Sequence, residues 1–600
     1  MGRITSGKGL ANSLGSRPAG AAPQATHNIV ARLHQRALAS PHHLAFRHLR
    51  DGAADSVEWS YAELWQAASA VAARLAGEGL EGKRVMLVLE PGLGYVAALF
   101  GILLCNATAV PAFPPLNARA VRRMAAIHAD CRPDAVLAGE EIQQARRRID
   151  AELGALGQSP RWLFLEDDPP QDGAQRSAPP CGASQIRMPA PALLQYTSGS
   201  TGAPKGVVLS HDNIISNCEV LGAFLDPDAT RVGLSWLPPY HDMGLLGALL
   251  LAVHSGFPLI TMSHTHFVQN PLRWLQAITE HKVSMTAAPN FALDLCVDSI
   301  PDEALQQLDL SSLRRLFCGA EPVSATTLQR FAERFAPRGL SRSALLPCYG
   351  LAEATLFVAG KTGQAPPTVL KVDKAALDHG FVHVDAQGGP SRSLVSCGRA
   401  AAGHELLVVD PLTRRVQPEG MVGEIWVHGR SVAFGYLDKR PATAETFHAH
   451  LEGDPSRRRY LRTGDLGFLW SNELFVTGRI KDVLVLAGRN LYPQDIEHSA
   501  QQSHQAIRRN GVVAFAVPGD SSERLVIVAE LSRRAAALDR GSLNSVRQAI
   551  TESVVRDHGI APARIQLVPP GSIPMTTSGK VQRQACKQAF MARQFTTLEG

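Results

Sequence analysis

Apolar and polar positions divide most of this chain into segments with helical or strand-like periodicity. Residues 26–50 have the pattern of an amphipathic helix followed by a strand, and Ser60 with Glu63 has the spacing of a helix-capping box. Helical segments then alternate with short apolar runs at 84–89, 109–114, 135–137 and 162–164. Since strands separated by helices usually form parallel sheets, this part of the chain is predicted to contain layered α/β subdomains.

The pattern changes twice in the second half of the chain. From residue 405 strands and turns predominate, at 405–410, 423–428 and 474–476, which predicts a smaller β-rich lobe. Beyond Gly478 a further compact unit is predicted, with strands at 512–517 and 525–531 and a helix at 544–557. The sequence therefore predicts an α/β fold with a large N-terminal domain at 26–478 and a small C-terminal α+β domain at 479–600.

Composition narrows the class of protein. The 600 residues exceed what one core supports, and 45% hydrophobic with 19% charged residues is typical of a globular enzyme. The net charge of +6 is spread along the chain, and short runs such as 146–148 and 457–459 fit solvated faces, so we expect no nucleic-acid partner. The nine cysteines form no C-x-x-C pair, which predicts reduced thiols in a cytoplasmic protein.

Three segments superficially resemble a P-loop or a membrane span. Residues 1–25 almost contain a P-loop, but Gly9 stands where Ser or Thr should bind Mg²⁺ and no strand precedes it, so a disordered tail is expected. The uncharged windows 91–117 and 243–263 are broken by Gly, Pro, Asn or His before they reach the length of a membrane span. Each is therefore predicted to be a buried helix that leads into a buried strand, with no transmembrane segment.

The stretch 193–211 predicts a phosphate-binding loop between two strands. Glycines allow backbone N–H groups to approach a polyphosphate, hydroxyls can bind its oxygens, and Lys205 adds a positive charge. The loop lacks the G-x-x-x-x-G-K-[ST] pattern of nucleotide hydrolases. A Gly/Ser linker is the structural alternative, although linkers are rarely enclosed so tightly by strands. The residues predicted to bind phosphate are Thr197, Ser198, Gly199, Ser200, Thr201 and Gly202.

Three further motifs carry groups that suit a nucleotide. His241 and Asp242 follow an apolar run, but adjacent side chains seldom face one metal ion. The run 316–318 leads into a small-residue turn, Gly319, Ala320 and Glu321, against which adenine could lie. In 348–354 an aromatic side chain can stack on a purine, a glycine permits close approach, and the carboxylate of Glu353 can reach Mg²⁺ on the phosphates. A core tyrosine with a surface glutamate is the alternative. The residues of this last motif are Cys348, Tyr349, Gly350, Leu351, Ala352 and Glu353.

Two motifs near the C-terminus add charged groups. Asp465 is predicted to lie on a tight turn, where a carboxylate could accept hydrogen bonds from both hydroxyls of a ribose. Arg479 and Lys481 follow shortly after it. Lys580 lies in a Ser/Gly-rich loop, and a cation there could bridge a carboxylate and an α-phosphate during in-line attack. An ordinary charged loop or surface lysine would explain each of these segments singly.

In order and spacing, these motifs over residues 30–585 resemble the signature of the adenylate-forming enzymes, which activate a carboxylate as acyl-AMP. The resemblance implies ATP and Mg²⁺ as cofactors and a mobile C-terminal domain. It also implies catalytic roles for Lys580, Lys205 and His241, with His241 as a gate at the carboxylate tunnel. Tyr349 would stack on adenine, Glu353 would coordinate the metal, Asp465 and Arg479 would contact the nucleotide, and Lys481 would be the hinge. A merely structural His241 remains the alternative.

Several short sequence segments resemble those of the fatty acyl-AMP ligases within that superfamily. The segments 237–245, 348–356 and 488–497 carry this resemblance, together with the long interval between Glu353 and Gly398, which contains an insertion at about 360–394. In that branch the insertion is tied to poor use of coenzyme A, whereas spacing alone indicates an extra loop that could be neutral. The implied function is ATP-dependent activation of a long-chain fatty acid, followed by transfer to the phosphopantetheine thiol of an acyl carrier protein on another chain.

Alternative functions remain at this point. An acyl-CoA synthetase would share the same motifs, and amino-acid adenylation is disfavoured because no acid is evidently placed to pair with an α-ammonium. A nucleotide-binding pseudoenzyme would need a damaged chemical position, yet all the charged residues of the motifs are present.

Overall fold

A computed structural model describes residues 28–115, 117–155, 157, 159–165, 191–197, 204–225, 231–384, 389–486, 489–519, 523–533, 535, 539–575, 581–596 and 598. Three predictions lie outside the described residues: the tail at 1–25, the phosphate-loop residues Ser198 to Gly202, and Lys580. The side chain of Thr197 is not described either, although its backbone is.

The first third of the chain builds a six-stranded sheet and its helices. Its strand order is β6-β5-β3-β4-β7-β8, and all neighbours are parallel except the β7–β8 pair. The capping box at Ser60 and Glu63 is confirmed, and every residue of α3 except Gly94 is buried, as expected for the 91–117 window. The elements are α1 Ile29–Ala39, β1 Leu44–Leu49, β2 Ser56–Ser60, α2 Tyr61–Gly77, β3 Arg84–Val88, α3 Leu93–Leu104, β4 Thr108–Pro111, α4 Ala118–Cys131, β5 Ala135–Gly139, α5 Gln143–Ala155, β6 Trp162–Leu165, β7 Pro191–Thr197 and β8 Lys205–Ser210.

A nine-stranded sheet forms the second layer, in the order β17-β14-β13-β12-β11-β9-β10-β1-β2. Its central strands are parallel, and antiparallel pairs occur only towards its ends, among the described residues. The elements are α6 His211–Gly222, β9 Gly233–Ser235, α7 Asp242–Gly244, a π-helix Leu245–Leu250, α8 Leu251–Ser255, β10 Leu259–Met262, α9 His264–Gln269, α10 Leu272–Glu280, β11 Met285–Ala287, α11 Asn290–Ser299, α12 Asp302–Leu305, β12 Arg315–Cys318, α13 Ala325–Phe335, β13 Leu345–Gly350 and β14 Phe357–Gly360. Short 3₁₀-helices lie at Glu140–Ile142, Ala336–Arg338, Arg342–Ala344 and Ala352–Ala354.

The insertion and the β-rich lobe follow. The insertion folds as the antiparallel pair β15–β16 with a short helix between the strands, and the lobe is the antiparallel sheet β18-β19-β20-β21. The elements are β15 Val369–Asp373, α14 Lys374–Asp378, β16 Ser391–Val395, β17 Arg399–Ala400, β18 His404–Val409, β19 Gly423–Gly429, α15 Arg440–Phe447, β20 Leu461–Trp470 and β21 Glu473–Arg479.

The last part of the chain has a hydrophobic core of its own, around Ile496, Ile527 and Val546. A three-stranded sheet β24-β25-β26 supports it. The elements are β22 Leu484–Leu486, β23 Arg489–Leu491, α16 Pro493–Gln502, β24 Ile507–Val517, β25 Arg524–Leu531, α17 Arg540–His558, β26 Arg564–Val568 and α18 Arg583–Met591. The α/β fold class is confirmed, while the domain boundary at 478/479 stays a prediction.

The insertion is sandwiched between the β-rich lobe and the C-terminal unit. Its apolar side chains Val372, Leu377, Val382 and Leu394 pack with Phe468 and Phe475 of the lobe and with Tyr492. The insertion therefore packs close to Lys481, because Phe475 lies in β21, the strand that leads to that residue. Among the helices of the described residues, none is both long and apolar enough to cross a membrane.

Candidate active site

The phosphate loop is held at both ends by the antiparallel pair β7–β8. Thr197 and Lys205 are opposite each other at the open end of this pair, so the seven residues between them in the chain start and end at two adjacent strand ends. A Cβ atom on Gly206 would lie 2.8 Å from the Tyr196 ring, which explains the glycine after the lysine. The far edge of β8 is covered by the segment 435–437, through hydrogen bonds from Val208 N to Gly435 O (2.9 Å) and from Leu437 N to Gly206 O (2.8 Å).

Glu353 lies in the 3₁₀-turn that follows β13. The hydroxyl of Tyr436 donates a 2.8 Å hydrogen bond to its Oε1, and burial raises the pKa of the Glu353 carboxyl, whereas that hydrogen bond acts in the opposite direction. The ammonium nitrogen Nζ of Lys205 lies 4.9 Å from the centroid of the same Tyr436 ring. The structure therefore brings Lys205 and Glu353 to the same tyrosine, and the half-buried Glu353 contradicts the alternative of an exposed surface glutamate.

Two glycines shape the wall predicted for adenine. A Cβ on Gly319 would lie 3.0 Å from both the carbonyl oxygen and Sγ of Cys348, and a Cβ on Gly350 would lie 1.8 Å from the Leu356 carbonyl oxygen. Ala320 adopts a left-handed conformation with φ of 73°, which turns the chain after β12 towards the end of β13. These backbones pack too closely for larger residues, so the wall is built by main chain.

Asp465 joins two other predicted site residues. Its Oδ2 accepts a 2.7 Å hydrogen bond from the Tyr349 hydroxyl, and its Oδ1 accepts one of 2.9 Å from Arg479 Nε. Because Asp465 lies beside it, the pKa of Arg479 is raised, and burial raises the pKa of Tyr349, so the arginine is charged and the tyrosine protonated. Both carboxylate oxygens thus accept hydrogen bonds from other predicted site residues.

The prediction that Asp465 lies on a tight turn is wrong. Asp465 lies inside the ten-residue strand β20, opposite Arg479 of β21. Gly464 has φ of 71° and the register shifts between Leu466 and Gly467, so a local irregularity in a paired strand produces the Gly-Asp signal that was interpreted as a turn.

An open cleft of about 1830 Å³ collects seven of the described candidates, whereas Lys205, Gly319 and Glu353 are not among the residues that line it. Its lining includes Ala320, Glu321, Cys348, Tyr349, Gly350, Asp465 and Arg479. Ala320 and Glu321 follow β12, and the other residues belong to β13, β20 and β21. Leu351 and Ala352 are buried in the core beside the cleft, so only their backbone could face a nucleotide.

His241 and Lys481 lie outside the residues that line this cleft. His241 precedes α7 on a turn that is tied to its surroundings by Tyr95 OH donating to Pro239 O (3.0 Å) and Gln195 Nε2 donating to Tyr240 O (3.0 Å). Because Gln195 belongs to β7, the histidine is held beside the strand that enters the phosphate loop. Lys481 lies between β21 and β22, at the start of the C-terminal unit.

Sequence reasoning missed Tyr436. It is 83 residues from Glu353 in the chain, and its own surroundings, a Gly-Tyr pair before a helix, carry no recognisable catalytic pattern. Only the pairing of 435–437 with β8 brings it to the site.

Comparison with known proteins identifies the family. Residues 33–437 match the model of the AMP-binding enzyme family. This chain belongs to that family. Residues 481–599 match a second model, the AMP domain of Disco-interacting protein 2-like proteins.

Relatives of this AMP-binding enzyme extend over nearly its whole length. A medium-chain-fatty-acid–[acyl-carrier-protein] ligase from Moorena producens is 38% identical over 91% of this chain and 92% of the relative. A long-chain-fatty-acid–AMP ligase from Mycobacterium marinum is 36% identical over 96% of this chain and 99% of the relative. The crystal structure of a fatty acid AMP ligase from Legionella pneumophila superimposes with a TM-score of 0.71 at 35% identity, covering 95% of this chain and 97% of that one. The resemblance to fatty acyl-AMP ligases is confirmed.

Proposed function

We propose that this AMP-binding enzyme activates a long-chain fatty acid with ATP and passes the acyl group to an acyl carrier protein. A carboxylate oxygen of the acid attacks the α-phosphorus, the bond to the bridging oxygen of the β-phosphate breaks, and pyrophosphate leaves. The carrier's phosphopantetheine thiol then attacks the acyl carbonyl carbon, and AMP leaves. The relatives at 36–38% identity support this reaction, since their names describe fatty acid ligation to AMP or to a carrier protein.

The observation that carries the proposal is the Tyr349–Asp465–Arg479 cluster at the wall formed by Gly319 and Ala320. In one cleft, an aromatic residue and a cation each donate a hydrogen bond to the same two-oxygen acceptor, Asp465. These are the groups required for a purine, a ribose diol and a phosphate, respectively. They lie on different strands, so their convergence is a property of the fold.

The described residues of the site are compatible with a Mg²⁺ ion that binds together with the nucleotide. Among the described residues no group of three or more His, Cys, Asp or Glu side chains could hold a metal ion. Glu353 provides one half-buried carboxylate, and Mg²⁺ in nucleotide sites is commonly bound by one or two carboxylates together with phosphate oxygens. When bound, the ion would neutralise charge on the phosphates, while Lys205 and, by our assignment, Lys580 would act on the same charge from the protein.

The insertion supports a carrier protein rather than free coenzyme A as the acyl acceptor. Its Lys374 Nζ donates to the carbonyl oxygen of Asp557 and lies 2.9 Å from His558 Nδ1, while Arg392 Nε lies 3.1 Å from Asp495 Oδ1. These contacts join the insertion to α17 and α16 of the C-terminal unit. These contacts must break before the C-terminal unit can reorient after adenylation, which costs free energy. A carrier protein that itself binds the enzyme can offset this free-energy cost more readily than a free thiol.

The enzyme is proposed to act in the cytoplasm with a carrier on another chain. The eight cysteines of the described residues are all free, which is typical of a reducing compartment.

Competing acceptors test the proposal. Purified protein should convert fatty acid and ATP to acyl-AMP and then acylate a holo-carrier protein in preference to coenzyme A. Equal or better formation of acyl-CoA would make it an acyl-CoA synthetase, and nucleotide binding without any acyl-AMP would make it a pseudoenzyme.

A further inference from the structure

Tyr436 lies between two oppositely charged residues that the reaction needs separately. Its hydroxyl donates to Glu353 Oε1 at 2.8 Å, and its ring lies 4.9 Å from Lys205 Nζ. Each of these two charged residues contacts Tyr436, and no ion pair between Lys205 and Glu353 occurs among the described residues. Without a spacer, a lysine and a glutamate at such a site would gain Coulomb energy by pairing with each other, and each would then be less available to a ligand.

The position of the Tyr436 ring is fixed on three sides. Its backbone bridges to Val207 in β8, and its amide N–H donates to Thr443 Oγ1 at 3.0 Å. Its ring meets Phe447 edge-on, with the centroids 5.1 Å apart. Gly435 permits this approach, because it has φ of 143° and a Cβ there would lie 2.3 Å from the Thr443 side chain. A side chain restrained in this way can hold its hydrogen-bond partner in one orientation.

We propose that Tyr436 is a positioning residue for the divalent cation–ATP complex. Its hydroxyl orients the Glu353 carboxylate for the cation, and its ring holds Lys205 towards the phosphates by a cation–π contact. The two effects are separable, because the first needs the hydroxyl and the second needs only the ring. This inference rests on the proposed function for the nature of the ligand, but it concerns binding and not acyl transfer.

Two substitutions separate the effects. In Tyr436→Phe the ring remains and the hydrogen bond is lost, so the affinity for Mn²⁺ in the presence of a non-hydrolysable ATP analogue should fall about tenfold, the scale for a hydrogen bond to a charged group. The affinity for the metal-free analogue should stay within about twofold of wild type. In Tyr436→Leu both effects are lost, and the metal-free affinity should fall as well.

Titration calorimetry for the nucleotide and electron paramagnetic resonance for Mn²⁺ provide the measurements, with the melting temperature followed for each variant. Tyr460→Phe is the matched control, since that buried tyrosine packs near Trp426 and His428 instead. In a Glu353→Gln background, Tyr436→Phe should cause no further loss of Mn²⁺ affinity. If Tyr436→Phe acted only by destabilising the protein, it would lower the Mn²⁺ affinity in this background as well.

The outcomes are distinct. Unchanged Mn²⁺ affinity in Tyr436→Phe, or an equal loss of metal-free and metal-bound nucleotide, overturns the inference. Neither measurement needs a fatty acid, so an enzyme that fails to make acyl-AMP but shows the Mn²⁺ effect would disprove the proposed function and support the role of Tyr436.

Discussion

Lys374→Met is expected to loosen the contact between the insertion and the C-terminal unit. Lys374 is half-buried, and burial lowers its pKa, so it stands in a partly desolvated position. It donates to the Asp557 carbonyl and contacts His558, which is itself 4% exposed. Methionine keeps much of the length of the side chain but removes the ammonium and its hydrogen bonds.

The magnitude follows from the contacts that are lost. Hydrogen bonds of a charged donor contribute about 1.5–3 kcal/mol each when they are not fully exposed. At about 1.4 kcal/mol for each factor of ten, losing one such interaction should shift the equilibrium between docked and released C-terminal units by about 10- to 100-fold. Arg392 and Asp495 remain in place, so the unit should still dock for adenylation.

The assay compares acyl acceptors. Acyl-AMP formation should stay within about twofold of wild type, while the rate of acyl-CoA formation relative to carrier acylation should rise by about tenfold. Lys371→Met, on the exposed face of the preceding strand, is the matched control and should change neither. Deleting residues Thr368 to Gly388 should shift selectivity in the same direction. The deletion would also expose Phe468 and Phe475, which are only 0% and 1% exposed in the intact protein. The point substitution therefore tests the role of the insertion more directly.

The result that would refute this reasoning is a released C-terminal unit without a change in selectivity. If hydrogen exchange around His558 increases in Lys374→Met and acyl-CoA formation still does not rise, the insertion is not the element that discriminates against coenzyme A. Discrimination would then have to lie in the path taken by the thiol.

Three further predictions concern other residues. Lys580→Ala should abolish most adenylation and leave ATP affinity nearly intact, because its charge acts mainly in the transition state; near-normal pyrophosphate exchange would refute that role. Asp465→Ala should weaken ATP binding by about 2 kcal/mol and free Arg479, and calorimetry showing unchanged ATP affinity would mean that the ribose site is misplaced. Burial beside Lys374 lowers the pKa of His558 to about 4, below its ordinary value near 6.5. As the pH falls, the unfolded protein therefore binds a proton at this histidine before the folded protein does, so the stability that is present above pH 6.5 should be lost as the pH falls towards 4. Melting curves between those pH values should show a smaller loss for His558→Gln than for wild type.

Local signals predicted the elements well because they depend on neighbouring residues. Residues only a few positions apart determine three of these features: the Ser60–Glu63 capping box, the uncharged helix α3, and the strand pair β7–β8 on either side of the Gly/Ser segment. The resemblance to a known family implies roles for residues such as His241 and Arg479 that no local pattern could assign. Arg479 reaches Tyr349 of the nine-stranded sheet through Asp465, because the antiparallel lobe packs beside that sheet.

Long-range contacts set the limit of the sequence argument. Tyr436 meets Glu353 only because 435–437 pairs with β8, and Lys374 meets Asp557 across 183 positions of the chain. Asp465 was misassigned to a turn because a Gly-Asp pair is equally compatible with a bulge in a paired strand. In each case the deciding contact is made by a partner that periodicity does not indicate.

The central claim is that a fatty acid is activated at the cleft formed by Tyr349, Asp465 and Arg479. ATP–pyrophosphate exchange with wild-type protein, measured over a series of fatty acid chain lengths, tests it most directly. We predict exchange that depends on both Mg²⁺ and the fatty acid, with acyl-AMP detected by mass spectrometry and a maximum at a long chain length. Protein that binds ATP but shows no exchange with any acid of the series would contradict the account.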